Sequence, residues 1–185
     1  MVGTNKRSIA AAAMFSLIVT GAVMAQSDNG QRKGHADLSG FQENPTLSSP
    51  ASGTLDIEIS KSGNSLDYTL TYKGISTHVL FSHIHLGRPA INGGVMVFFC
   101  TNGTPPAGVP TPPPCPEGGG TVSGTLTAAD VLAVTPQGIA TGEFGELVDA
   151  LRSEAAYGNV HSMTYPGGEI RGQITFHRND SIHDD

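Results

Sequence analysis

The 185-residue sequence contains no tryptophan, and aromatic residues make up only 6% of it. Charged residues make up 14%, with 10 basic side chains against 16 acidic ones and a formal charge of −6. This shortage of basic residues excludes an extended phosphate-binding surface, so we expect no nucleic-acid partner. Glycine (24 residues) and proline (12 residues) are abundant instead. Such a composition favours a turn-rich β fold over a helical one.

The first 25 residues are predicted to be an export signal. Two basic residues precede an apolar run from residue 9 to residue 20, and Ala25 supplies a small residue before the cut. The run is shorter than the roughly 20 residues that span a bilayer, so we expect no membrane span after cleavage. A retained anchor is the alternative. The mature chain would begin at Gln26 and is expected to be secreted, periplasmic or at the cell surface; its charge of −8 reflects the loss of two basic residues and no acids.

The chain has two cysteines, Cys100 and Cys115, which bound a segment rich in proline. The prolines exclude a helix or a central strand there. In an exported protein this spacing favours a structural disulfide that closes a surface loop. A reactive thiol pair or a soft-metal site is the alternative, although both would favour a closer Cys-x-x-Cys spacing.

Alternation of apolar and polar residues predicts most of the strands. Residues 54–59 and 66–72 alternate on either side of a turn at 61–64, which predicts a β-hairpin. Further strands are predicted at 79–85, 95–100, 122–126, 157–163 and 169–176. The strand at 95–100 is almost wholly apolar, so we expect it in the middle of the sheet.

Short helices are predicted only in the connection after residue 126. Thr127 and Asp130 have the spacing of a capping box, and apolar residues at helical spacing predict a helix from 144 to 151. The whole pattern predicts an all-β fold, an antiparallel Greek-key β-sandwich or barrel with one or two short helices in a connection. We expect a flexible lead-in at 26–36, one domain at 37–177 and a polar tail at 178–185.

Three histidines form the candidate functional site. His83 and His85 occupy alternate positions of a predicted strand, so both imidazoles project to the same face. His161, far away in the sequence, would join them if its strand is a neighbour or faces theirs. Three imidazoles with an open position suit copper or zinc. The alternative is that all three are half-exposed strand residues bonded to backbone or water; His78, of opposite parity to His83, is expected to point away.

Two charged residues, Glu169 and Arg171, share one face of the last predicted strand. The simplest interpretation is a surface ion pair worth about 0–1 kcal/mol.

No serine has the Gly-x-Ser-x-Gly context of a hydrolase nucleophile. The sequence therefore favours a protein without enzymatic activity over an enzyme.

Five segments carry a further pattern: 38–45 (LSGFQENP), 83–87 (HIHLG), 92–95 (NGGV), 159–162 (NVHS) and 166–174 (PGGEIRGQI). Together they resemble the CHRD domain, which is named for chordin, a secreted antagonist of growth factors, and is widespread in bacterial exported proteins. The resemblance implies a secreted β-sandwich-like binding module, whose partner here would be an unknown protein or small ligand. The chain departs from the family pattern at Gly158, Ser162 and Tyr165, and Gly158 is expected to weaken the packing of its strand.

The arrangement of the histidines is also similar, more weakly, to that of Cu/Zn superoxide dismutase. By this analogy His83, His85 and His161 would be copper ligands, and Arg171 would guide an anion. The loop that holds zinc in that enzyme has no counterpart here, so we expect a single-ion site. Two hypotheses follow: a secreted binding module with a candidate three-histidine metal site, or a copper or zinc metalloprotein with superoxide-dismutase-like redox activity.

Overall fold

The computed structural model describes residues 32–105 and 107–176, which form nine strands and one α-helix. The strands are β1 (Lys33–Ser39), β2 (Ser52–Ile59), β3 (Ser65–Lys73), β4 (Val79–Leu86), β5 (Val95–Thr101), β6 (Gly119–Thr127), β7 (Ala156–Ser162), β8 (Ile170–Gln173) and β9 (Thr175–Phe176). The helix α1 spans Phe144–Arg152. The predicted export signal, the first part of the lead-in and the polar tail lie outside the described residues.

The strands pair antiparallel in one sheet, in the order β5-β4-β7-β8-β1-β2-β3-β6, with β9 on β1. The sheet curls into a nearly closed barrel, which brings its two ends together. The Tyr68 hydroxyl on β3 donates to the carbonyl of Phe99 on β5 at 2.8 Å. Leu132, beyond β6, donates its backbone N–H to the carbonyl of Met96 at 2.8 Å. The predicted antiparallel β class is confirmed.

The hairpin of β2 and β3 forms as predicted. Leu55 faces Leu70, and Ile57 faces Tyr68, in an unbroken register across the pair. Every second residue is buried in the core while the threonines and acids between them lie outside. This is the alternation expected of a sheet with one apolar face and one solvent-exposed face.

The strand β5 corrects one prediction, because it lies at one end of the strand order and not in the middle. Its burial comes from the closure of the barrel and from a covering loop. The ring of Tyr68 packs on that of Phe99 with centroids 4.7 Å apart. The N–H of Thr101 donates to the carbonyl of Pro113, in the proline-rich loop, at 2.9 Å. A covering loop is a common way to protect a strand edge.

The strand β1 begins at Lys33, inside the segment expected to be a flexible lead-in. Because the inward residues Gly34 and Ala36 are small, this segment shows little alternation of large apolar and polar residues. Its order comes from long-range pairing, since Gly34 faces Ile57 on β2 and Phe176 on β9. The predicted strand at 169–176 is likewise divided into β8 and β9 by Ile174.

The connection between β6 and β7 holds the one α-helix of the described residues. The predicted capping box forms, with the Asp130 carboxylate accepting from the Thr127 N–H at 2.8 Å, but the turn that it opens is a 3-10 turn. Helix α1 buries Phe144, Leu147 and Leu151, as their spacing predicted. No helix in the described part of the chain is long and apolar enough to cross a membrane.

Gly158 fits the packing of β7 and does not weaken it. A Cβ at this position would lie 2.8 Å from Cδ2 of Leu55. The Leu55 side chain is completely buried in the core and occupies the space that a side chain at position 158 would need. The expectation that this departure from the family pattern loosens the strand was wrong.

The predicted disulfide between Cys100 and Cys115 is present, with Cα atoms 4.9 Å apart. Asn102 fastens the loop further: its side-chain nitrogen donates to the carbonyls of Val79 and Cys115, both at 3.0 Å. Its side-chain oxygen accepts from the Cys115 N–H at 2.9 Å. The loop is thus tied to β4 as well as closed on itself.

Removal of the disulfide by a Cys100→Ala/Cys115→Ala double substitution is expected to lower the free energy of unfolding by about 3 kcal/mol. The cross-link restricts the unfolded chain over a sequence separation of 15 residues. Urea unfolding followed by circular dichroism measures the loss. Reduction of the wild-type protein serves as the control, because it opens the bond without changing side-chain volume. Equal stability with and without the bond would contradict this role.

Candidate metal centre

The strands β4 and β7 lie side by side, and this adjacency allows His161 to join His83 and His85. Phe81 faces His161, and His83 faces Asn159, in the antiparallel register. Ile84 is wholly buried in the core, so the alternate residues His83 and His85 project from the opposite face of the sheet. His161 projects to that same face.

The three histidines converge. One nitrogen from each of His83, His85 and His161 lies within 4.8 Å of the other two. Nδ1 of His83 is 3.3 Å from Nε2 of His85. Two nitrogens bound to one tetrahedral ion at about 2.0–2.1 Å are separated by about 3.3 Å. These two nitrogens are therefore already at the spacing of ligands to a single ion.

Aromatic rings cover the cluster. His83, His161 and His85 are 3%, 6% and 8% exposed, so the interpretation as half-exposed strand residues was wrong. Phe81 stacks on His83 with centroids 4.7 Å apart. The ring of Tyr157 lies parallel to that of His85, with centroids 4.8 Å apart and an angle of 4°.

Backbone carbonyls fix the protonated nitrogen of two histidines. Nδ1 of His85 lies 3.0 Å from the carbonyl oxygen of Gly93, and Nδ1 of His161 lies 3.0 Å from that of Pro166. A carbonyl only accepts, so each Nδ1 carries the hydrogen and donates it. The lone pair of each ring is then at Nε2, as in histidines that bind metal ions.

Two imidazole nitrogens of the cluster lack partners. Nε2 of His83 and Nε2 of His161 are buried, and neither has a hydrogen-bond partner within residues 32–105 and 107–176. Unsatisfied buried polar atoms are rare and cost about 1–3 kcal/mol each. An ion bound to His161 would remove one of these deficits.

All three imidazoles are held neutral. Burial, with a smaller contribution from the neighbouring His85, lowers the pKa of His161 to about 4, although the hydrogen bond to the Pro166 carbonyl acts in the opposite direction. Burial, together with the positive charge of Arg171, also lowers the pKa of His85 to about 4. Burial and the other two histidines bring the pKa of His83 well below its ordinary value. At neutral pH each ring is therefore uncharged and keeps one nitrogen lone pair, the form that binds metal.

Arg171 is buried beside the cluster, with 2% of its surface exposed. Its guanidinium carbon lies 3.4 Å from the centre of the Tyr157 ring. The guanidinium also donates to the carbonyls of Arg88, at 3.0 Å, and Ile91, at 2.9 Å. The anion-guiding role stays a prediction, and the burial of this side chain does not favour it.

The predicted surface ion pair of Arg171 with Glu169 does not form. Glu169 is wholly buried, and its carboxylate accepts from the Ser49 hydroxyl at 2.8 Å and from the hydroxyl of Ser76 at 2.9 Å. The interpretation failed because strand parity shows which residues share a face but not which loops cover it. Glu169 instead anchors the two segments that precede β2 and β4.

Glu43 is a buried residue that the sequence did not single out. It is 7% exposed, and its Oε1 accepts from the side-chain amide of Asn159 at 2.9 Å. Burial raises its pKa to about 7, although Asn159 and the charge of Arg171 act in the opposite direction. Its place in the segment 38–45 was the one available signal, and nothing in that segment indicates burial.

The other described histidines lie outside the cluster. His78 points away as predicted, with its Nδ1 2.6 Å from Oε1 of Glu117. His35 bonds to Asp56, with Nδ1 and Oδ1 2.7 Å apart. Of the histidines that the structure describes, only the predicted three converge.

The comparisons with known proteins agree with the segments that resembled a family. The CHRD domain model matches residues 35–174, which includes every strand that carries the site. Neither the curated proteins nor the solved structures give a significant match. The match covers most of the sequence, and the chain belongs to the CHRD domain family.

Proposed function

We propose that this CHRD domain is an exported metal-binding module that holds one copper or zinc ion on His83, His85 and His161. The observation that carries the proposal is the convergence of three buried, neutral imidazoles within 4.8 Å. A cluster that served stability alone would be expected to satisfy its buried nitrogens. Nε2 of His161 has no partner in the described part of the chain, and the ion would supply one.

The donor set favours copper or zinc over other common ions. The cluster has nitrogen ligands only, with no carboxylate or cysteine among its members. Calcium and magnesium need oxygen ligands, whereas imidazole suits zinc and copper. The carbonyls of Gly93 and Pro166 orient two of the rings, as hydrogen-bond acceptors of metal-binding histidines do in metal proteins.

Export is the second part of the proposal. Its support is the signal-like sequence before Gln26 and the disulfide, which persists in oxidising compartments. We place the protein in the periplasm, at the cell surface or outside the cell. A protein or small ligand would be the partner that the family resemblance implies.

Binding is favoured over redox turnover by the surroundings of the cluster. A superoxide-dismutase-like reaction would need a path that brings an anion to the ion. Arg171, the residue suited to that task, has its guanidinium against Tyr157 and two loop carbonyls. Phe98 and Phe81 pack on His83, with the Phe98 centroid 4.2 Å away. We therefore propose that the ion is bound and held.

Metal analysis of untagged protein, followed by zinc and copper titration, tests this function. We expect one ion per chain with a dissociation constant below 1 μM, which is about −8 kcal/mol. An excess of ion 100-fold over that constant should stabilise the fold by about 2.7 kcal/mol, visible as a rise in melting temperature. Negligible metal content together with no affinity below the micromolar range would refute the proposal.

A further inference from the structure

We propose that Arg171 is a positioning residue for this metal site, which holds His85 in the orientation and tautomer that bind the ion. The inference rests on the proposed metal-binding function. Arg171 does not touch the ion in this account. It acts on His85 by two routes, one through the loop of residues 88–93 and one through the ring of Tyr157.

The first route begins with the bonds from the guanidinium to the loop. Nη2 of Arg171 donates to the carbonyls of Arg88 and Ile91, at 3.0 and 2.9 Å. Nη1 lies 3.4 Å from the side-chain oxygen of Asn92. One planar group thus binds three acceptors of a single loop, which the fixed fork of arginine allows.

The loop then reaches His85 through Gly93. The carbonyl of Gly93 accepts from Nδ1 of His85 at 3.0 Å, and its N–H lies 3.3 Å from the Tyr157 hydroxyl oxygen. A Cβ at Gly93 would lie 1.6 Å from the Leu86 carbonyl oxygen, so the loop packs directly on the end of β4. The position of the loop therefore sets which nitrogen of His85 carries the hydrogen.

The second route is a stack of three planar groups. The guanidinium of Arg171 lies over one face of the Tyr157 ring, 3.4 Å from its centre. The same ring lies parallel to that of His85, with centroids 4.8 Å apart. Both routes end at His85, and the Tyr157 hydroxyl joins them through Gly93. Displacement of the guanidinium would loosen both constraints on the imidazole at once.

Arg171→Gln and Arg171→Lys test the positioning role, with nitrogen NMR of the His85 ring in the metal-free protein and zinc titration of the same samples. In the wild type we expect the Nδ1–H tautomer with slow exchange of that hydrogen. In both variants we expect faster exchange, an appreciable Nε2–H tautomer and zinc affinity about 10- to 100-fold lower, the usual cost of losing a second-layer partner. Arg171→Lys keeps the charge, so a similar loss in both variants shows that the donor fork of the guanidinium, and not its charge alone, is required.

Ile170→Val is the matched control, because Ile170 lies on the same strand but is completely buried in the core. This variant should keep the wild-type tautomer and affinity. If the Arg171 variants do not fold, Tyr157→Leu is the second test, because it removes both the ring stacked between the guanidinium and His85 and the hydroxyl that accepts from the Gly93 N–H.

A wild-type tautomer and affinity in both Arg171 variants, or in Tyr157→Leu, would overturn the inference. The two proposals fail separately. Wild-type protein that binds neither zinc nor copper refutes the metal function, whereas the tautomer of His85 in metal-free protein still reports on Arg171.

Discussion

His161→Ala is expected to lower the affinity for zinc or copper by at least about 100-fold. His83 and His85 come from one strand, and His161 is the only ligand from β7, so its loss leaves two imidazoles on one side of the ion. The truncation also removes the Nδ1–H that bonds to the Pro166 carbonyl. Isothermal titration calorimetry of the untagged variant at pH 7 measures the effect.

His78→Ala is the matched control for this loss. His78 lies just before β4 and bonds to Glu117 on the surface, outside the cluster. Its removal lowers the number of histidines equally but should leave the affinity and the stoichiometry unchanged. An equal loss in both variants would point to adventitious surface binding, and no loss in His161→Ala would contradict its role as a ligand.

Acidification is expected to destabilise the metal-free protein between pH 6.5 and about 4. The folded-state pKa values of His85 and His161 are about 4, below their ordinary value of 6.5. In this range the unfolded chain takes up protons that the folded chain does not, so stability is lost as the pH falls. Each pH unit costs about 1.4 kcal/mol for each group, or about 3 kcal/mol for each histidine by pH 4. Urea unfolding at several pH values with a chelator measures the slope.

Glu43 opposes part of this loss. Its pKa is raised from 4.5 to about 7, so between these values the folded chain takes up the proton first and gains stability as the pH falls. Glu43→Gln should therefore steepen the acid loss, and His161→Gln should flatten it. A wild-type stability that is constant from pH 7 to pH 4.5, with neither variant changing the slope, would show that the cluster does not titrate in this way.

Much of the fold could be predicted from the local sequence pattern. The predictions failed where long-range contacts determine the position of a strand. The hairpin of β2 and β3 was predictable because its register depends on neighbouring segments joined by a short turn. The sequence of β5 predicts a central strand, because a short apolar run has the same pattern whether neighbouring strands or a covering loop bury it. β1 has small residues at its inward positions, and the sequence around it does not show its partners β2 and β9.

Part of the site was equally open to prediction. Strand parity placed His83 and His85 on one face, and the adjacency of β4 and β7 brought His161 to them. Parity could not show that this face is buried, because the cover comes from distant residues such as Phe98 and from the loops that hold Gly93 and Pro166. The burial of Glu43 and Arg171 depends on the same loops.

The central claim is that one ion is bound by three imidazoles, and X-ray absorption spectroscopy of the stoichiometric zinc complex tests it most directly. We predict a first shell with three nitrogen ligands at about 2.0–2.1 Å and the outer-shell scattering of imidazole rings. The same shell should be lost in His161→Ala and kept in His78→Ala. A first shell made of oxygen ligands without imidazole scattering, as surface carboxylates would give, would contradict the account.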